Sequence, residues 1–149
     1  MVIDKGIYKY NWYKIKDILP QITEIASLDL SHMVLTEFPK MSHITINRDF
    51  NCMYNKITSF NGCPHINGNF ICFVNPIKSF KDCPMIKGDL YSGILAFDTV
   101  HWYSKEKKIS LLEAQVELYN KQDKEILEHI DKFPDLVAYI RLKELNKLL

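Results

Sequence analysis

The sequence predicts an α+β fold, in which a short solenoid of stacked parallel strands follows an N-terminal cap and precedes a C-terminal helical hairpin. Three observations lead to this prediction. A block of twenty residues recurs without a gap, each block contains a short alternation of apolar and polar residues, and the last third of the chain has apolar residues at helical spacing. One such block cannot bury its own apolar face, so stacked blocks must share a core.

The repeat is clearest where residues 50–69 are set above residues 70–89. A looser copy at 28–49 is two residues longer, and a partial copy occupies 90–98, which makes about three and a half repeats. Identical residues coincide at Phe50 and Phe70, Cys52 and Cys72, Asn55 and Asn75, Ile57 and Ile77, Phe60 and Phe80, Cys63 and Cys83, Ile66 and Ile86, and Gly68 and Gly88.

Each repeat begins with a short strand, in which alternate side chains point to opposite sides. Phe50 and Cys52 are therefore expected to point into the core. Asn55 and Asn75 follow the strands directly, and an amide side chain both donates and accepts hydrogen bonds. We expect these two asparagines to bridge backbone groups of neighbouring turns.

The repeats resemble the leucine-rich-repeat pattern L-x-L-x-x-N-x-L, in the form "FNCMYNKI" at 50–57 and "FICFVNPI" at 70–77. The stretch 56–75, "KITSFNGCPHINGNFICFVN", is similar to the repeats of short leucine-rich-repeat proteins of tailed bacteriophages. The resemblance covers 28–98 and implies a curved solenoid with a non-catalytic binding role. It further implies a phage protein that binds and inhibits a host protein, such as a defence factor, in the cytoplasm of the infected bacterium.

The chain departs from the leucine-rich-repeat pattern in two ways. Phenylalanine and isoleucine stand where leucine is usual, and the asparagine position holds Met33 in the first repeat and Leu95 in the last. We therefore expect the end repeats to be irregular. The resemblance supplies no catalytic residue and no cofactor, so the sequence predicts a protein that is not an enzyme.

The two ends of the solenoid need covering, because open ends expose core and unpaired strand edges. Residues 1–27 are the predicted N-terminal cap, with an edge strand at 7–12, and the solenoid proper is placed at 28–98. Residues 99–149 are the predicted helical hairpin. Its first helix begins at Ser110, which forms a capping box with Glu113, and its second is expected from about Pro134 to Leu148.

The four cysteines suggest chemistry but fit the repeat better. Structural zinc sites draw ligands from close pairs such as C-x2-C, whereas Cys52, Cys63, Cys72 and Cys83 are separated by eight or ten residues. We interpret them as two ladders of buried thiols. A metal- or cysteine-dependent activity is the weaker alternative. His65 is not repeated, since Met85 stands at the same position of the next repeat.

The overall charge excludes strongly electrostatic partners. The formal net charge is +1 over 149 residues, so nucleic acid is an unlikely partner. No apolar run approaches the length of a membrane span and no signal peptide is recognised at the start, so the sequence predicts a cytoplasmic protein.

The outward strand positions are the candidate partner-binding site. Alternation along the strands points the side chains of Asn51, Met53, Ile71, Phe73 and Tyr91 away from the core. Exposed apolar patches mark interaction sites, so we expect a protein partner to bind here. Two alternatives remain open. The C-terminal hairpin could fold back over these residues, or the protein could be a homo-oligomer assembled through its C-terminal helices.

Overall fold

The computed structural model describes residues 1–148 and contains a seven-stranded parallel sheet wound into a β-solenoid of about four turns, followed by helices. The strands are β1 Val2–Tyr8, β2 Glu24–Asp29, β3 Thr45–Ile46, β4 Phe50–Asn51, β5 His65–Ile66, β6 Phe70–Ile71 and β7 Leu90–Tyr91. The helices are α1 Leu95–Lys107, α2 Leu111–Asn120, α3 Lys124–Glu128 and α4 Pro134–Asn146. Short 3-10 helices lie at Trp12–Lys14, Lys16–Gln21 and Ile130–Lys132.

The twenty-residue period is the distance from one turn of the solenoid to the next. Phe50 pairs with Phe70, which pairs with Leu90, all in parallel register. Thr45 pairs with His65 in the same way along a second line of strands. β2 is long enough to serve both lines, because its first half pairs with β3 and its second half with β4. Each later turn therefore carries two short strands separated by a corner.

The corner explains why glycine recurs at positions 68 and 88. The Gly88 N–H donates to the Gly68 carbonyl at 3.0 Å, and a Cβ added to Gly88 would lie only 2.4 Å from that oxygen. Side chains complete the corner on its outer side, where Asp49 Oδ1 accepts from the Asn69 N–H at 2.8 Å and Asn69 Oδ1 accepts from the Asp89 N–H at 2.9 Å. Adjacent turns are thus in backbone contact at this corner.

Phenylalanine side chains form the centre of the core. Phe50 and Phe70 stack with ring centroids 5.4 Å apart and planes 10° from parallel. A second column continues from the solenoid into the helices, because Phe80 contacts Phe97 at 5.1 Å and Phe133 at 5.4 Å. The expected inward direction of Phe50 and Cys52 is confirmed, since both are fully buried. One core therefore joins solenoid and helices.

The N-terminal segment adds a turn to the solenoid. Its strand is β1 at Val2–Tyr8, earlier than the expected edge strand at 7–12, and it pairs in parallel with β2. Ile7 pairs with Leu28 and is buried, so it takes the core position that begins each later repeat. β2 also starts at Glu24, before the expected solenoid boundary at residue 28. The two 3-10 helices complete this first turn.

The C-terminal segment contains more than a hairpin of two helices. The expected second helix is α4, which begins at Pro134 and ends at Asn146, and α2 begins after Ser110, whose Oγ accepts from the Glu113 N–H at 3.0 Å. An additional helix, α1, spans Leu95–Lys107 and includes the second half of the partial repeat. The repeat thus stops after β7, and the chain turns directly into a helix.

Candidate functional site

Three of the five residues predicted to bind a partner lie on three neighbouring strands. Asn51 is the Cα partner of Ile71, and Ile71 is the Cα partner of Tyr91, so these three form a column across β4, β6 and β7. Successive members of such a column lie about 4.8 Å apart. Ile71 and Asn51 are half-buried, and Tyr91 is 46% exposed.

Met53 and Phe73 form a second, parallel column directly after the strands. Backbone hydrogen bonds continue the ladder here, since the His32 N–H donates to Met53 O at 3.1 Å and the Tyr54 N–H donates to Phe73 O at 3.2 Å. Both side chains are half-buried. Asn51 has a local role as well, because its Oδ1 accepts from the Met53 N–H at 3.0 Å. The predicted residues are therefore brought together on a rigid backbone.

The structure adds a third column that the sequence reasoning missed. His32, Tyr54 and Val74 follow one another at the same repeat position, and all three are exposed, Tyr54 by 48% and Val74 by 55%. Their φ angles are +56°, +57° and +56°, in the left-handed region. The signal in the sequence is the turn position directly before the asparagine position of each repeat, which holds His32, Tyr54 and Val74. Tyr54 and Val74 lie immediately before Asn55 and Asn75.

Asn55 and Asn75 bond the backbone on both sides of this third column. Asn55 Oδ1 accepts from the N–H groups of Met33 and Leu35, which flank Val34, both at 3.0 Å. Its Nδ2 donates to Leu30 O at 2.8 Å and to Cys52 O at 2.9 Å. The expected bridging of neighbouring turns by Asn55 is confirmed.

Asn75 repeats the arrangement one turn later. Its Oδ1 accepts from the Ile57 N–H at 3.0 Å, and its Nδ2 donates to the carbonyls of Cys52 and Cys72, each at 3.0 Å. The last turn has no asparagine, and Ser92 is bonded locally by Asp98 of α1, whose Oδ1 accepts from the N–H and Oγ of Ser92. Burial raises the pKa of Asp98, against the hydrogen bonds from Ser92 that lower it.

Aromatic contacts connect the columns into one surface. The His32 ring stacks on Tyr54 with centroids 4.6 Å apart and planes 11° from parallel. Tyr54 in turn meets Phe73 edge to face at 6.1 Å. We call this surface the outward face and define it as His32, Val34, Met53, Tyr54, Ile71, Phe73, Val74 and Tyr91.

The helices pack against the end of the solenoid rather than over the exposed columns of the outward face. His101 Nε2 lies 3.1 Å from Ile86 O, and Lys105 Nζ donates to Gly88 O at 3.1 Å and to Asp89 at 3.0 Å. Phe97 and Phe133 fill the core behind Phe80. The side chains of Tyr54, Val74 and Tyr91 stay accessible in this arrangement.

The four cysteines are free thiols of the interior. Cys52 and Cys72 are fully buried on one ladder, and on the other Cys63 is buried and Cys83 partly so. Burial raises the pKa of all four thiols well above the ordinary range. A thiol held protonated is a poor nucleophile. Among residues 1–148, the three metal-ligand side chains that come together are Glu125, Glu128 and His129, without a cysteine.

Alkylation tests this assignment. In the folded protein at pH 8, we expect iodoacetamide to leave Cys52, Cys63 and Cys72 unmodified over hours, because the thiols are neither accessible nor ionised. Cys83 is expected to react first. In denaturant all four should react within minutes, as measured by mass spectrometry of the peptides. Fast modification of Cys52 or Cys72 in the folded state would contradict a purely structural role.

Comparison with protein-family models, with curated proteins and with solved structures finds no match to this chain. No helix within residues 1–148 has the length and apolarity needed to cross a membrane.

Proposed function

We propose that this chain is a leucine-rich-repeat-like protein that binds a protein partner through its outward face and performs no catalysis. One observation carries the proposal: bulky apolar side chains are displayed to solvent from backbone positions in the left-handed conformation. Aromatic residues and methionine are enriched at the centres of protein interfaces, and contiguous exposed apolar surface of this kind marks interaction sites.

The choice of residues at these positions supports binding rather than folding as their purpose. A left-handed conformation costs about 1–2 kcal/mol for a residue with a Cβ, and β-branched residues are the least suited to it. The repeat has another left-handed corner, at Gly62 and Asp82, and there it uses residues that accept this conformation. In the two central repeats, the bulky residues with a positive φ angle are Tyr54 and Val74, and both lie at the corner that faces outward. Local strain of this kind clusters at functional sites.

The rigidity of the outward face also favours binding. Cys52 and Cys72 lie between its columns and donate backbone hydrogen bonds to Ile71 O at 2.8 Å and Tyr91 O at 2.9 Å. A side chain held by such a ladder loses less conformational entropy when a partner is bound. The resemblance to phage leucine-rich-repeat proteins supports the more specific proposal that the partner is a host bacterial protein, inhibited by binding in the cytoplasm.

Partner capture tests the proposal. We expect the tagged wild-type protein to retain a bacterial protein from lysate, and Phe73→Asp or Ile71→Asp to reduce its retention at least about tenfold, because a buried charge would replace an apolar contact. Quantitative mass spectrometry identifies the retained protein, and titration with the purified partner then gives the dissociation constant. The matched control is Tyr13→Asp, which changes an exposed tyrosine outside the outward face. Equal loss in the control and in Phe73→Asp would refute a role for the outward face.

Relief of backbone strain at Val74 provides a second test, in which stability is expected to rise while partner binding weakens. We expect Val74→Gly to raise the free energy of unfolding by about 0.5–1 kcal/mol, because glycine avoids the left-handed penalty but loses more chain entropy on folding. The same change should weaken partner binding, since the exposed valine side chain is removed. Chemical denaturation and titration measure the two effects. A variant that is both less stable and equally tight in binding would contradict the functional reading of this position.

A further inference from the structure

The last two turns of α4 extend away from the rest of the fold. Leu136 is fully buried and anchors the start of this helix, but residues 141–148 are all exposed. Leu142, Leu145 and Leu148 are 60%, 59% and 81% exposed. A short helical segment without tertiary contacts is marginal in water, so three accessible leucines on such a segment call for a binding partner.

Leu142 and Leu145 share one side of α4. Residues three apart are neighbours on a helical surface, so Leu142 and Leu145 follow one another along the axis, and Leu148 lies two residues beyond the end of α4. Leu145 and Leu148 also border a shallow groove of about 450 Å³, which Ile140, Arg141 and Glu144 complete. The groove thus combines an apolar floor with one positive and one negative side chain.

The charges on this groove indicate what occupies it. Arg141 makes no ion pair within residues 1–148, and Glu144 has only an exposed pair with Lys147 at 3.1 Å. Arg141 and Glu144 lie three residues apart on the same side of α4, and their signs are opposite. An antiparallel copy of the same helix would present Glu144 opposite Arg141 and Arg141 opposite Glu144. A parallel copy would instead set like charges against each other.

We propose that two copies of this chain form a dimer by antiparallel pairing of α4 about a two-fold axis. Leu142 of one copy packs against Leu145 of the other, and the same contact recurs on the opposite side of the axis, as symmetry requires in such an interface. The dimer contains two Arg141–Glu144 pairs, because Arg141 of each copy lies opposite Glu144 of the other. This proposal is independent of the outward face, which lies on the solenoid.

Mass measurement over a range of concentrations is the direct test. We expect the full chain to approach twice its monomer mass of 17.5 kDa as its concentration rises, with Leu145→Glu raising the dissociation constant at least about tenfold. The matched control is Leu95→Glu, which alters a leucine of similar exposure (61%) at the start of α1 and should leave the dimer unchanged. A chain that stays monomeric at every concentration, or a dimer that survives Leu145→Glu, overturns the proposal.

A charge exchange tests the antiparallel arrangement itself. Arg141→Glu and Glu144→Arg, each alone, place like charges across the axis and should weaken the dimer several-fold. Mixing the two variants restores opposite charges at both contacts, so we expect a heterodimer that is tighter than either homodimer. Because the mixture would pair opposite charges in a parallel dimer too, the weakening of each single variant relative to the wild type identifies the antiparallel arrangement, and single variants that dimerise as tightly as the wild type overturn it. Circular dichroism of each variant confirms that the helices are intact, and partner capture through the outward face should be unaffected.

Discussion

Replacing Phe133 with alanine is expected to lower the free energy of unfolding by about 3–5 kcal/mol, the range for deleting a buried aromatic ring. Phe133 is fully buried and contacts Phe80 of the solenoid at 5.4 Å and Phe97 of α1 at 5.5 Å. Its ring thus belongs to both halves of the core. The cavity that alanine leaves would be bordered by these rings and could not collapse without moving a whole helix.

Urea denaturation measures this effect, with far-ultraviolet circular dichroism as the probe. A suitable control is Tyr10→Ala, which removes a ring that is largely in solvent and should change stability by less than about 0.5 kcal/mol. If Phe133→Ala cost under 1 kcal/mol, the helices would have to be packed more loosely on the solenoid than the contacts with Phe80 and Phe97 indicate.

The second large effect is expected for Asn55→Ala, at about 3 kcal/mol of lost stability. The side chain satisfies the N–H groups of Met33 and Leu35 and the carbonyls of Leu30 and Cys52. A buried polar group without a partner costs roughly 1–3 kcal/mol, and water entering the space would satisfy some of the four. The loss should be greatest around Val34, whose conformation the Asn55 carbonyl oxygen maintains.

Thermal and urea denaturation measure the loss, and hydrogen exchange locates it at Met33 and Leu35. Asn61→Ala is the matched control, because Asn61 is exposed and its side chain makes no hydrogen bond within residues 1–148. Equal stability of the Asn55 and Asn61 variants would show that water replaces the amide fully. Faster exchange across the whole chain, without local enhancement, would show that Asn55 stabilises the fold globally.

The repeat was predictable because its physical causes are local and periodic. Phe50 and Phe70 had to stack once the period of 20 was recognised, and Asn55 and Asn75 are the residue type that can bond two turns at once. Glycine at 68 and 88 follows from the close approach of backbones at the corner. Each of these properties belongs to a residue type and a spacing, so a single sequence is enough to reveal it.

The C-terminal region was less predictable because its helices depend on contacts from distant residues. Helix α1 begins inside the partial repeat, where Phe97 stands twenty residues after Ile77 but packs against Phe80 and Phe133 as part of a helix. On α2, the buried residues are Ala114, Gln115 and Leu118, whereas Leu112 is 40% exposed. Helical spacing indicates that a helix has an apolar face, but the position of the solenoid decides which residues of the helix are buried.

By itself, the sequence determined that this protein stacks twenty-residue turns around an apolar core, and that Asn51, Met53, Ile71, Phe73 and Tyr91 alternate away from that core. Only the tertiary structure decided that Tyr54 and Val74 join them in a left-handed conformation, and that the helices leave them accessible. The physical reason is that side-chain alternation is encoded over two residues. Backbone strain and exposure, in contrast, are set by neighbouring turns and by helices far away in the chain.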